Sequence, residues 1–151
     1  MRKSPLALLL SLICLISSHN EIQGQGYPPT DSLRQLAATC EGKDKHDLLM
    51  RIAMSTNDIA DWDATLNDAI DRCDTPAICR SRLNRIQCLF NFYSVDSAII
   101  EARESLPFIL NAKQYSFYFS TYNTFISGLF KQRRFDEARE EATTMFETAQ
   151  Q

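Results

Sequence analysis

The strongest constraint on this chain is a period. From Asp31 to Ala149 the apolar residues recur at helical spacing, and no stretch shows the two-residue alternation of a half-buried strand. Leu33, Leu36, Ala37 and Cys40 form a first stripe, closed by Gly42. Leu48, Leu49, Ile52 and Ala53 form a second. Trp62, Leu66, Ala69, Ile70 and Cys73 follow at i, i+4, i+7, i+8 and i+11. Thr75-Pro76 reads as a cap and first-turn pair for a helix carrying Cys79, Leu83, Ile86 and Phe90. Val95, Ala98, Ile99 and Ala102 predict a short fifth helix that stops before Pro107, because proline pushes the preceding residue out of the helical region. Tyr115, Tyr118, Phe119, Tyr122, Phe125, Ile126 and Leu129 mark a long sixth. Phe135, Ala138, Ala142, Met145, Phe146 and Ala149 mark a seventh. Connections of a few residues make neighbours antiparallel. The expected fold is all-α: about seven helices in antiparallel hairpins, stacked as a short solenoid.

The N-terminus obeys a different rule. Met1-Arg2-Lys3-Ser4-Pro5 precedes a nearly pure apolar run, Leu6 to Ile16, and then Ser17-Ser18. A basic start, an apolar run of about 7–15 residues and small residues after it describe a secretory signal. The run is shorter than the roughly 20 residues of a membrane-spanning helix. Cys14 follows Ile13, where a lipoprotein box wants a small residue, so lipidation is not expected. Cleavage is expected after Ser18 or near Gly24. Residues 1–24 are assigned to the signal and a short N-terminal segment, and residues 25–151 to the helical domain. Expected localisation is therefore exported, periplasmic or extracytoplasmic.

Cleavage after Ser18 removes Arg2 and Lys3, leaving 14 of the 16 basic residues against 19 acidic ones. An acidic exported chain has no global reason to bind nucleic acid. No later stretch is apolar and long enough to cross a membrane. Four cysteines remain: Cys40, Cys73, Cys79 and Cys88. They allow three pairings, and sequence does not choose among them. Export permits disulfides. Cys73 and Cys79 flank the turn Asp74-Thr75-Pro76 and form the candidate bridge, with simple burial as the alternative.

A repeat underlies the helices. Asp61-Trp62-Asp63-Ala64-Thr65, Ser94-Val95-Asp96-Ser97-Ala98 and Arg134-Phe135-Asp136-Glu137-Ala138 share one order: a large apolar residue, then Asp, then a small residue two further on. The large residue is expected to plug the joint, and the Asp to sit at the positive end of the second helix. The small residue lets the helices approach closely. One unit adds Tyr122-Asn123-Thr124-Phe125, Lys131-Gln132 and Ala142. A second matches at Leu89, Val95, Ala98 and Ala102, and a third at Ile52, Ala53, Trp62 and Ala69. Together these units resemble the tetratricopeptide repeat, a 34-residue helix pair, over about Asp47 to Gln151. The pattern departs from the family at Ile126 and Leu129, and a 40-residue interval requires extra residues near Pro107 to Ala112.

Chemistry-bearing motifs are sparse. Of two histidines, His19 lies at the signal boundary. His46 sits in Asp44-Lys45-His46-Asp47, read as a capping segment with a solvated imidazole rather than a metal site. The aspartates from Asp58 to Asp74 fail the calcium-loop pattern, with Leu66 where glycine and Arg72 where glutamate are required. No nucleophile–histidine–acid motif is present, and no enzyme activity, metal or cofactor is expected. Arg80, Arg82 and Arg85 are expected to pair with nearby aspartates.

The resemblance implies a concave face lined by the first helix of each pair. Its groove positions fall on Asn57, Arg80, Gln87, Phe90, Asn91, Asn123, Ser127, Phe130 and Lys131. Amides, aromatics and cations of this kind suit a protein or peptide partner, or a small polar ligand. The family's chaperone-tail clamp is not expected, because Met50 and Met54 occupy its places and only Asn84 fits. The start at Asp31 to Arg34 resembles the sensor half of bacterial membrane regulators that carry such repeats. The implied function is a non-catalytic recognition module, either the extracytoplasmic sensor part of a signalling protein or a complete small periplasmic adaptor.

Overall fold

The computed structural model describes residues 29–150. The signal segment and its cleavage sites lie outside them. Among the described residues seven α-helices follow one another: α1 (Thr30–Thr39), α2 (Gly42–Thr56), α3 (Ile59–Asp71), α4 (Thr75–Cys88), α5 (Val95–Asn111), α6 (Tyr115–Lys131) and α7 (Phe135–Ala149). Between α4 and α5 the chain makes one π turn, Leu89–Tyr93, where the Ser94 N–H donates to the Leu89 carbonyl at 2.9 Å. The described residues contain no strand, and none of their helices is long and apolar enough to cross a membrane. Each helix packs on its successor, and α4 also packs on α6. The result is a repeat-like stack of antiparallel hairpins.

Three helix ends are built alike. Cys73, Lys113 and Arg133 adopt left-handed backbone, with φ of 54°, 56° and 58°. The next residue's N–H then reaches back to close the helix: Asp74 to Ala69, Gln114 to Ile109 and Arg134 to Leu129, at 2.9–3.2 Å. This is the Schellman closure, made here without glycine. Three helix starts, those of α3, α4 and α5, are capped by side chains. Asp58 accepts from the Ala60 N–H, Asp74 from Ala77 and Ser94 from Ser97. Thus Asp74, rather than Thr75, is the cap of α4, and Pro76 sits in its first turn.

The core runs along the stack. Its largest part joins Cys79 and Ile86 of α4, Ile99, Ala102 and Ile109 of α5, and Tyr118, Tyr122, Phe125 and Leu129 of α6. Leu33, Ala37, Leu48 and Ile52 close α1 on α2, and Ala53, Trp62 and Cys88 join α2, α3 and α4. Arg34 fastens α1 to α3 with bonds of 2.9 and 2.8 Å to the two carboxylate oxygens of Asp61.

Several expectations need correction. Helix α5 does not stop before Pro107 but runs on to Asn111. Buried Leu106 and Ile109 on either side of the proline hold that last turn against the core, so packing outweighs the local bias of proline. Trp62 is not at a joint. It lies one turn inside α3, whose first residue is Ile59, while Val95 and Phe135 do begin their helices. Phe135 plugs nothing: it is exposed and leans on Phe130, with ring centroids 5.7 Å apart. The small residues Ala98 and Ala138 are buried as expected. Ile70 and Tyr115 are exposed although they fit their stripes.

Candidate recognition face

Helix α4 and the π turn that follows it present Arg80, Asn84, Gln87 and Asn91 at i, i+4, i+7 and i+11, which is one line along a helix. Beside it, Met54 and Asn57 end α2. Asn57 takes left-handed backbone (φ 52°), which Asn tolerates better than most residues. Its N–H returns to the Ala53 carbonyl at 2.9 Å, and its own carbonyl accepts the Cys88 thiol at 3.2 Å. The two lines enclose a cleft of about 230 Å³, bordered by Asn57, Asn84, Gln87 and Asn91, with Met54 and Phe92 at its edges and Trp62 beneath. Met54 and Phe92 are 63% and 60% exposed. The π turn carries Asn91 and Phe92, an insertion frequent where helices serve function. Trp62 is 4% exposed, and its indole N–H has no hydrogen-bond partner. Tyr93 secures the rim, its hydroxyl accepting from the Ile59 N–H at 3.2 Å.

Of the residues expected in a groove, Asn57, Gln87 and Asn91 are therefore brought together. Phe90 and Lys131 form a second contact, the ammonium lying 3.7 Å from the ring centroid. This contact joins the π turn to α6. Phe130 is exposed against Phe135. Asn123 and Ser127 stand on α6 outside the amide cleft, Asn123 exposed and Ser127 half-buried. Arg80 lies at the far end of the α4 line and borders a different cleft. Asn84, Met54, Phe92 and Trp62 were not in the expected set. The spacing of Asn84 from Arg80 and Gln87 was the signal for it. Met54 held a clamp place and Trp62 a repeat joint in the sequence, neither assigned to the groove, and nothing local marked Phe92.

The Cys73–Cys79 bridge is absent. Both are free thiols: Cys73 is exposed at the left-handed end of α3, and Cys79 is buried in the core. The arginines divide. Arg85 bonds Asp63 at 2.6 Å and also pairs with Glu101. Arg82 reaches Ser105 at 3.3 Å and lies over Phe108. Arg80 lies 5.9 Å above the Phe117 ring.

His46 is the largest departure. Instead of a solvated imidazole, it is 4% exposed. It falls at i with Leu49 at i+3 and Ala53 at i+7, so the stripe of α2 did include it. Its Nδ1 lies 3.2 Å from Asp68 Oδ2. Arg72 then bridges Asp68 (Nε, 3.1 Å) and Asp74 (Nη1, 3.0 Å), and Asp74 holds the Ala77 N–H at 3.1 Å. This polar chain ties α2 and α3 to the start of α4. Nε2 of His46 is buried without a partner, which ordinarily costs about 1–3 kcal/mol. Among the described residues no three His, Cys, Asp or Glu side chains come together as a metal ligand set.

Compared with known proteins, the chain matches no family model, no curated protein and no solved structure.

Proposed function

We propose that the chain is an exported, non-catalytic module of tetratricopeptide-like helical hairpins that holds an extended peptide segment of a protein partner. The observation that carries this reading is the amide cleft. Asn57, Asn84, Gln87 and Asn91 each offer one carbonyl acceptor and two N–H donors around a single recess. Such groups match the alternating N–H and C=O of an extended main chain without demanding a particular side chain. Met54 and Phe92 add apolar contact at the rim. Phe90 under Lys131 continues the face toward α6. The basic-apolar-small start of the chain supports export, and a sensing part of a signalling protein is the role in which such a module fits best.

An array of immobilised extended peptides tests the reading. Wild-type protein should retain a subset of peptides, and Asn84→Ala with Asn91→Ala should weaken that retention at least about tenfold, the loss of roughly 1.4 kcal/mol. Asn91 is exposed and Asn84 only half-buried, so the thermal midpoint should stay near that of the wild type. Retention unchanged in the folded double variant would overturn the proposal.

A further inference from the structure

A second cleft, of about 260 Å³, opens between the first turns of α2 and α4. Lys43, His46, Asp47, Asp74, Pro76, Ala77 and Arg80 border it. We infer that it binds a small oxyanion, a phosphate or a carboxylate, gripped by Lys43 and Arg80 and closed on its buried side by Nε2 of His46. This inference is independent of the amide cleft.

The argument starts at Asp68. An ionised carboxylate only accepts hydrogen bonds, so the Nδ1 facing it carries a proton. The ring is thereby oriented, and its other nitrogen, Nε2, is left buried and unpartnered on the border of the cleft. The missing partner must come from the cleft, and local charge decides its sign. On α3, Asp68 is shared by Lys45, His46 and Arg72. On α4, Asp74 is held by Arg72 and the Ala77 N–H. Those carboxylates are satisfied. What remains around the opening is Lys43 and Arg80 against Asp47. Neither cation has an ion pair among the described residues. Asp44 and Asp71, on α2 and α3, do not border the cleft. The start of α4 adds the positive end of its dipole. An excess of positive charge beside a buried, unpaired ring nitrogen selects an anion.

The test is a titration with inorganic phosphate at constant ionic strength, following the His46 ring proton and the Ala77 amide by NMR, with sodium acetate as a parallel arm. Saturable shifts at both positions are expected. Lys43→Gln and Arg80→Gln, both at exposed sites, should each weaken binding at least about tenfold. His46→Asn keeps a donor for Asp68 but removes Nε2, and should abolish saturation. If that variant does not fold, the two surface variants decide alone. Saturation by phosphate only assigns a phosphate-class ligand, and saturation by acetate a carboxylate. Shifts that never saturate, or affinities unchanged in both surface variants, would overturn the inference.

Discussion

At the scale of single residues, cysteine shows how environment sets chemistry. Burial pushes the thiols of Cys79 and Cys88 up from their ordinary range, and a thiol reacts only as its thiolate. Cys88 also donates its proton to the Asn57 carbonyl. Cys73 has neither protection: it is exposed on a turn. With a maleimide at neutral pH, peptide mapping should find Cys73 modified first and Cys40 next. Cys79 and Cys88 should lag by more than about a hundredfold, the factor imposed by an opening cost of only about 2.7 kcal/mol. Cys73 that resists labelling until a reductant is added would mean that a bridge forms after all. Tyr122 is buried in the same manner. Desolvation and the Glu141 carboxylate, 2.6 Å from its hydroxyl, push its phenol far above the ordinary value, so it serves as a neutral donor.

At the scale of elements, the closest joint is α5 on α6. Gly128 is buried within α6, and a Cβ added there would lie 2.7 Å from Ile99 Cγ1 and 3.3 Å from Cδ1. Two opposing effects follow from Gly128→Ala. Alanine improves helix propensity by about 1 kcal/mol. Overpacking a filled core costs typically about 1–3 kcal/mol, and Ile99, 3% exposed, has little room to yield. The clash should win, lowering stability by about 1 kcal/mol in urea unfolding. In an Ile99→Ala background the same substitution should cost less, and the mutant cycle measures that coupling. Gly128→Ala that stabilises the wild type would show that the two helices have slack. Pro107 makes the complementary point. It removes one backbone donor from α5, yet the helix persists because Leu106 and Ile109 are buried beside it.

At the scale of the whole molecule, carboxylates fasten successive hairpins, and their charge is part of the fold. The Ala77 N–H and Arg72 hold Asp74 below its ordinary 3.8. Arg134, with Arg103, holds Glu137 below 4.5. Both groups are more acidic folded than unfolded, so each stabilises the fold fully above its ordinary value. That contribution fades as pH falls through the ordinary value toward the folded one. Asp74→Asn keeps a capping oxygen but cannot pair with Arg72 as a charge. It should be less stable than the wild type at pH 7. The gap in urea midpoint should shrink as pH drops below about 3.8. A gap that stays constant to about pH 2 would show that Asp74 is not held by charge.

The number, order and approximate positions of the helices were legible in the sequence, because a 3.6-residue period needs only neighbours within one helix to express itself. So was the burial of Ala98 and Ala138. The rest depends on residues distant in the chain. Pro107 stays helical because α6 packs on its neighbours. Ile70 is exposed because its side of α3 meets no partner helix among the described residues. His46 is buried because α3 closes over it and Asp68 meets Nδ1, which an i, i+3, i+7 spacing alone cannot separate from a solvated cap. Arg80 parts from Asn57 because one line on α4 borders two clefts. Local periodicity determines which face each helix buries; only the packing of the hairpins decides what that face meets.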